Sequence, residues 1–171
     1  MYSRYLFIVL LLFLSCKRTP TINLDTLSIS NTPIREGEIL EIDTVLIGKY
    51  KDKALADFYK YKNNKTVWQS EKKRKTILET MENCKSEGLN PDDYNISTLH
   101  DLEKNFPDLD ESGQVNYDLL LTYNFQKYLA HLRNGKLDPN KLYRNWDLPI
   151  AKIDTKSVLI KALEKDSLES A

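Results

Sequence analysis

Apolar residues recur at intervals of three and four along most of the chain beyond about residue 54. Positions with this spacing share one face of an α-helix, so the pattern predicts a series of amphipathic helices and an all-α fold. The first predicted helix ends near residue 61. Four further helices are predicted over about 70–88, 98–106, 115–133 and 154–163. Their apolar positions include Leu55, Phe58, Tyr59, Ile77, Leu78, Met81, Cys84, Leu99, Leu102, Phe106, Leu119, Leu120, Tyr123, Tyr128, Leu129, Val158, Leu159 and Leu163.

The stretches between these helices carry weaker signals. The pair Asn63-Asn64 predicts a break, and the short run 66–68 predicts an extended piece that buries Trp68. Apolar residues in 39–47 fit neither strict alternation nor a helical stripe, so that segment stays ambiguous.

Helix caps and one charged position complete this pattern. Ser70 is a predicted N-cap, as is Ser97 or Thr98 for the shorter helix, because a side-chain oxygen there accepts a bond from a free helical amide. Arg74 is predicted to lie on the exposed side of its helix, within a run of four basic residues at 72–75.

Two stretches stop a helix in similar ways: GLNPDDY at 88–94 and NGKLDP at 134–139. Each places glycine where a helix would end and proline three or four residues later. Pro91 and Pro139 therefore pin two turns, Asp92 or Asp93 can accept bonds from turn amides, and Tyr94 can cover the preceding helix.

The first residues predict a targeting signal. One basic residue is followed by a ten-residue apolar run at 5–14, which is too short to span roughly 30 Å of hydrocarbon as a helix. Ser15 and Cys16 then resemble a bacterial lipobox, although Phe13 replaces the more usual leucine. We predict a lipoprotein signal peptide at 1–15, lipidation of Cys16 and a flexible tether over 16–37; an ordinary cleaved signal is the alternative.

Overall charge excludes some partners. With 25 basic and 25 acidic side chains the chain has no net charge, so no long-range attraction to nucleic acid is expected. No Gly-rich phosphate loop is present, and the sequence predicts no cofactor.

The order of these motifs from about 54 to 163 resembles the N-terminal scaffold domain of the murein L,D-transpeptidases, periplasmic enzymes that cross-link peptidoglycan. The run YDLLLT at 117–122 contributes to this resemblance. The resemblance also rests on a set of residues with expected structural roles, which we call the signature residues: Phe58, Tyr59, Trp68, Gly88, Pro91, Tyr94, Gly135, Pro139 and Trp146. The resemblance implies a helical scaffold over 38–171 that supports a catalytic domain or docks other wall-building proteins.

The catalytic motif of that family has no counterpart here. It requires an activated cysteine in a Ser-x-Gly-Cys-x-Arg setting with a histidine, whereas Cys84 lies on an apolar helical stripe. We therefore expect a buried, structural Cys84, no catalytic residue and no enzymatic activity.

Other chemistry is weaker. The run 108–116 resembles the start of an EF-hand loop, but Leu119 stands where a bidentate glutamate belongs, so a polar loop capping the next helix is favoured over calcium binding. His100 and His131 lack ligand clusters at metal spacing, which predicts locally bonded or solvated histidines.

The combined prediction is a periplasm-facing membrane lipoprotein that acts as a non-catalytic scaffold in cell-wall biogenesis. Its expected partners are an L,D-transpeptidase catalytic domain, other wall-synthesis proteins and peptidoglycan. The alternatives are an adaptor lipoprotein that binds wall synthases or muropeptides and, less favoured, a calcium-dependent module.

Overall fold

The computed structural model describes residues 37–137 and 154–164. Six α-helices occupy these ranges: α1 (Thr44–Lys49), α2 (Lys53–Tyr61), α3 (Glu71–Glu82), α4 (Ile96–Lys104), α5 (Glu111–Asn134) and α6 (Thr155–Glu164). The described residues contain no β-strand beyond a single antiparallel bridge between Glu41 and Lys65, so the all-α prediction is confirmed. The predicted signal peptide, Cys16 and most of the tether lie outside the described residues, as do Pro139 and Trp146.

Side-chain caps begin most of these helices. Asp52, Ser70 and Asp110 accept hydrogen bonds from main-chain amides in the first turns of α2, α3 and α5, at 2.8, 3.4 and 2.7 Å. Such caps satisfy donors that have no partner within the helix. The prediction for α4 is wrong: it begins after Asn95, which takes a left-handed conformation (φ 52°), and not at Ser97 or Thr98.

The core lies around α5, the longest helix. Residues on several of its faces are buried, including Tyr117, Leu119 and Leu121, because α2, α3, α4 and α6 all contact it. Because neighbouring helices contact α5 on several sides, its apolar stripe is wide. Polar positions of α5 are buried as well.

The ambiguous segment 39–47 divides into two parts. Residues 40–42 run beside 64–66 with two main-chain hydrogen bonds (Thr66 N to Leu40 O, 2.9 Å; Ile42 N to Asn64 O, 2.7 Å), and α1 follows. Asn63 and Asn64 both have positive φ, so the predicted break after α2 is confirmed. None of the helices in the described ranges combines the length and the apolar character needed to cross a bilayer.

Candidate functional site

The extended segment 66–69 is held by ionised side chains on both edges of its backbone. The amides of Val67 and Trp68 each donate to Oδ2 of Asp118 at 2.8 Å. The carbonyls of Trp68 and Gln69 each accept from Nη1 of Arg74 at 3.0 Å. Two side chains from different helices therefore bond four main-chain groups of this segment, in addition to the bond between Thr66 N and Leu40 O.

The first of these side chains belongs to what we call the Asp118 network, formed by Tyr59, Trp68, Asp118 and Thr122. The hydroxyl of Tyr59 donates to Oδ1 of Asp118 at 2.6 Å and lies 2.7 Å from Oγ1 of Thr122. The indole Nε1 of Trp68 donates to the same threonine oxygen at 2.8 Å. The network joins α2, the segment 66–69 and α5 in the interior.

Burial dominates the acidity of this network. Asp118 is 3% exposed, and the loss of water raises its carboxyl pKa to about 6, although the hydrogen bonds from Tyr59, Trp68 and Val67 act in the opposite direction. Burial, together with the neighbouring Asp118, also raises the pKa of Tyr59 well above its ordinary value. Tyr59 therefore stays a neutral hydrogen-bond donor at physiological pH.

The second set, which we call the Arg74 network, consists of Arg74, Glu103, Phe106 and Tyr117. Arg74 Nε donates to Oε2 of Glu103 at 2.9 Å, and Nη2 donates to Oε1 at 3.3 Å. The Tyr117 hydroxyl donates to the same Oε2 at 2.6 Å. The guanidinium lies over the ring of Phe106 at 3.7 Å, so a cation–π contact adds to the ion pair.

The prediction that Arg74 is exposed is wrong, since only 2% of its surface meets solvent. Burial of a guanidinium without an opposite charge would cost free energy. Glu103, which is itself only 9% exposed, supplies that charge. Arg74 also precedes Ile77, Leu78 and Met81 at intervals of three, four and seven, and therefore shares their face of α3.

The turn at 88–94 has the predicted form with one difference. Gly88 ends the 3₁₀ turn that follows α3 with φ 74°, a left-handed conformation that favours glycine, and Pro91 starts a short 3₁₀ turn. The turn amide of Asp92 donates to Oδ1 of Asn90 at 3.2 Å, whereas the sequence had suggested Asp92 or Asp93 as acceptors.

Tyr94 ends this turn and is completely buried. Its ring meets Tyr128 edge-on at 5.7 Å, and its hydroxyl lies 3.0 Å from Nδ1 of His131, so it packs against α5. Among the other signature residues, Phe58, Tyr59 and Trp68 are buried in the same core.

The second helix stop lies next to the first. Gly135 ends α5 with φ 76° and ψ 161°, and Lys136 follows it. The Lys136 ammonium is 2.7 Å from Oδ2 of Asp93, and Lys127 Nζ donates to the Asp93 carbonyl at 2.8 Å. The two glycine stops are thus joined by one ion pair across the surface.

Cys84 is fully buried, as predicted, and burial raises the pKa of its thiol. A raised pKa disfavours the thiolate that a cysteine nucleophile needs. Cys84 lies in the 3₁₀ turn Asn83–Glu87, which continues α3 and ends at Gly88.

The run 108–116 does not form a calcium loop. α5 begins at Glu111, so its later positions are helical, and Asp110 caps the helix through the amide of Gly113, as the favoured prediction stated. Nε2 of His100, an exposed side chain, lies 3.4 Å from Oε2 of Glu82. Within 37–137 and 154–164 no group of three or more histidine, cysteine or acidic side chains could hold a metal ion.

A cavity of about 250 Å³ adjoins the Arg74 network. Sequence reasoning found neither the cavity nor the Arg74–Glu103 pair. The available signal was the spacing: Glu103 lies on the stripe of Leu99, Leu102 and Phe106, just as Arg74 lies on that of α3. Two opposite charges within apolar stripes indicate a buried pair between helices.

The chain thus forms an all-α domain in which two buried charged side chains, Asp118 and Arg74, bond the main chain of the segment 66–69. A family model described as the Scaffold domain matches residues 53–171, more than half of the chain, and the chain therefore belongs to the Scaffold domain family. The match begins at the first residue of α2 and includes both networks. No curated protein and no solved structure matches the chain.

Proposed function

We propose that the chain is a non-catalytic scaffold of the L,D-transpeptidase type, which supports or docks peptidoglycan cross-linking proteins at the bacterial cell envelope. The single observation that carries this proposal is the Scaffold family match over 53–171, which spans most of the motifs that resemble those enzymes. The burial of Cys84 supports the non-catalytic part, since no other cysteine lies in the described ranges.

The rigidity of the domain suits a supporting role. The segment 66–69 is fixed by Asp118 and Arg74 through four main-chain bonds, and α6 is tied back to α3 by Lys73 Nζ, which donates to the Leu163 carbonyl at 2.9 Å. Buried side chains that each bond several main-chain groups favour one conformation of that backbone over its alternatives. A partner would therefore meet a preformed surface.

The catalytic part of the proposal is tested with the purified protein and a disaccharide-tetrapeptide substrate. We expect no L,D cross-linked product. Turnover that disappears in Cys84→Ser would overturn the proposal, whereas turnover that persists in this variant would indicate a contaminating enzyme and require a repeat with a cleaner preparation.

Docking is tested by photo-crosslinking in the envelope of a Gram-negative host. A crosslinkable residue at Leu132, an exposed apolar position of α5, should capture a wall-synthesis protein identified by mass spectrometry. The same residue at the buried position Leu121 serves as the control and should capture none. Recovery of only unrelated envelope proteins would contradict docking.

The anchor is a separate part of the proposal: Cys16 carries lipid, and the domain faces the periplasm. Labelling with an alkyne fatty acid should modify the chain, and Cys16→Ser should abolish the label. Cys84→Ser provides the matched control, because the buried thiol should not carry lipid. Label that survives Cys16→Ser would exclude this anchor.

The adaptor lipoprotein remains the second candidate, and it shares the docking test above. Crosslinks to muropeptides in place of proteins would favour it. The calcium-dependent module loses its support, because α5 begins inside the run 108–116.

A further inference from the structure

The cavity beside the Arg74 network lies between α3, α4 and the start of α5. Phe106 and Pro107 form an apolar wall, while Arg74, Glu103 and Gln114 lie deeper and are each more than nine-tenths buried. Pockets for drug-sized ligands occupy roughly 300–1,000 Å³. At about 250 Å³, this cavity suits a smaller group, such as the last one or two residues of a peptide.

The charges that line the cavity do not cancel. Arg74 pairs with Glu103, and Lys75 pairs with Glu71 on the rim. Lys104, which also lines the cavity, has no ion pair within the described residues. One positive charge is therefore in excess, and it favours an anionic occupant.

Two of the polar side chains that line the cavity, Arg74 and Gln114, retain hydrogen-bonding capacity. Four N–H groups of the Arg74 guanidinium have acceptors, and the second N–H of Nη2 has none among the described residues. Gln114 Nε2 donates to the Leu109 carbonyl at 3.3 Å, whereas its Oε1 accepts no hydrogen bond from any described residue. Of the residues that line the cavity, Arg74 thus retains one donor that could serve an anion and Gln114 one acceptor that could serve an N–H group.

We propose that this cavity binds the C-terminal end of a peptide. The terminal carboxylate would meet Lys104 and the remaining N–H of Arg74, the last amide N–H would donate to Gln114 Oε1, and a small side chain would pack on Phe106 and Pro107. A peptide terminus carries these three features together.

The test titrates the full chain with N-acetyl-alanyl-alanine and with its C-terminal amide, followed by NMR. The free acid should shift the side-chain signals of Gln114 and the ring signals of Phe106 with millimolar affinity. The amide, which lacks the anion, should bind at least about tenfold more weakly. Equal affinity for both probes, or no shift with the acid, would overturn the inference.

A charge reversal on the rim provides the matched comparison. Lys104→Glu should weaken binding of the acid about tenfold, and added salt should reduce that difference. Lys85→Glu makes the same change at an exposed position that does not line the cavity, and should alter binding less than about twofold. Equal effects of both variants would show that only the overall charge matters, and would contradict a site.

Two sources could supply such a terminus: a protein chain, which ends in an L-residue, and a wall peptide, which ends in D-alanine. Both enantiomers of the probe are therefore compared. Binding of either supports the inference, and a preference for one identifies the source. The inference does not depend on the proposed function. The purified protein should bind the probe whether or not it acts at the cell envelope.

Discussion

The Asp118 and Arg74 networks hold the same backbone segment by opposite chemistry. Asp118 accepts from the amides of 67 and 68 and receives its remaining bonds from neutral groups, whereas Arg74 donates to the carbonyls of 68 and 69 and is balanced by Glu103. The Asp118 network lies in the interior between α2 and α5, while the Arg74 network borders a cavity. The Arg74 side chain therefore combines a structural role with a place in the cavity for which we propose a ligand, whereas Asp118 bonds only groups of the domain itself.

The largest loss of stability is expected for Asp118→Ala. This change leaves the amides of Val67 and Trp68 without their acceptor, and buried unpaired donors are costly. It also removes the 2.6 Å bond of the Tyr59 hydroxyl, which keeps only its contacts with the main-chain carbonyl of residue 118 and with Thr122. The free energy of unfolding in urea should fall by about 4 kcal/mol. Asp101→Ala, at an exposed position of α4, should stay close to wild type. A loss below about 1 kcal/mol would refute the importance of this network.

Removal of the guanidinium should cost slightly less. Arg74→Met leaves Glu103 buried without its cation, so we expect a loss of about 3 kcal/mol. The double variant Arg74→Met with Glu103→Leu should recover at least about 1 kcal/mol, because two apolar groups replace the whole pair. Strictly additive losses would show that the two residues act independently. Lys75→Met, on the exposed face of α3, is the control.

The stability that the Asp118 network provides should also depend on pH. The pKa of Asp118 is raised from 3.8 to about 6 in the folded state, so this group stabilises the fold at low pH and loses that contribution as pH rises through about 6. Between about pH 4 and pH 7 its contribution should fall by about 2 kcal/mol. Asp118→Asn lacks this titration, and the difference between the two unfolding curves isolates it. Parallel curves would contradict the raised pKa.

The smallest expected effect concerns the tyrosine that connects α5 to Glu103. Tyr117→Phe removes one bond to a charged acceptor and should lower the free energy of unfolding by about 1 to 2 kcal/mol. Tyr128→Phe, also buried on α5, should change it by less than about 0.5 kcal/mol, because its hydroxyl has no partner in the described part of the chain. Thermal or urea unfolding of both variants gives the comparison, and equal losses would count against a specific role for Tyr117.

Local spacing was sufficient to predict α2 to α6, whereas α1 lies mostly in the segment 39–47 that the pattern left ambiguous. The stripes at 55–59 and 77–84, the break at Asn63-Asn64 and the last helix from about 155 all appear in the structure. The boundaries of α4 and α5 were less accurate, because Asn95 reaches a left-handed conformation and Asp110 caps α5 earlier than its apolar residues indicate.

The candidate site was missed because it depends on contacts between distant residues. Arg74 and Glu103 are 29 positions apart, and Tyr59 and Asp118 are 59 apart. A charged residue on an apolar stripe is normally assigned to the surface, since burial is costly until its partner is known. Treating such residues as candidates for buried pairs would have identified both Arg74 and Glu103.

The geometry at Gly135 has a consequence for how this protein could evolve. Its combination of φ 76° and ψ 161° is open almost solely to a residue without a side chain. The direction in which the chain leaves α5 therefore depends on this position, and any residue with a side chain would be strained there. Sequence drift should therefore be tolerated in the neighbouring surface residues long before it is tolerated at this glycine.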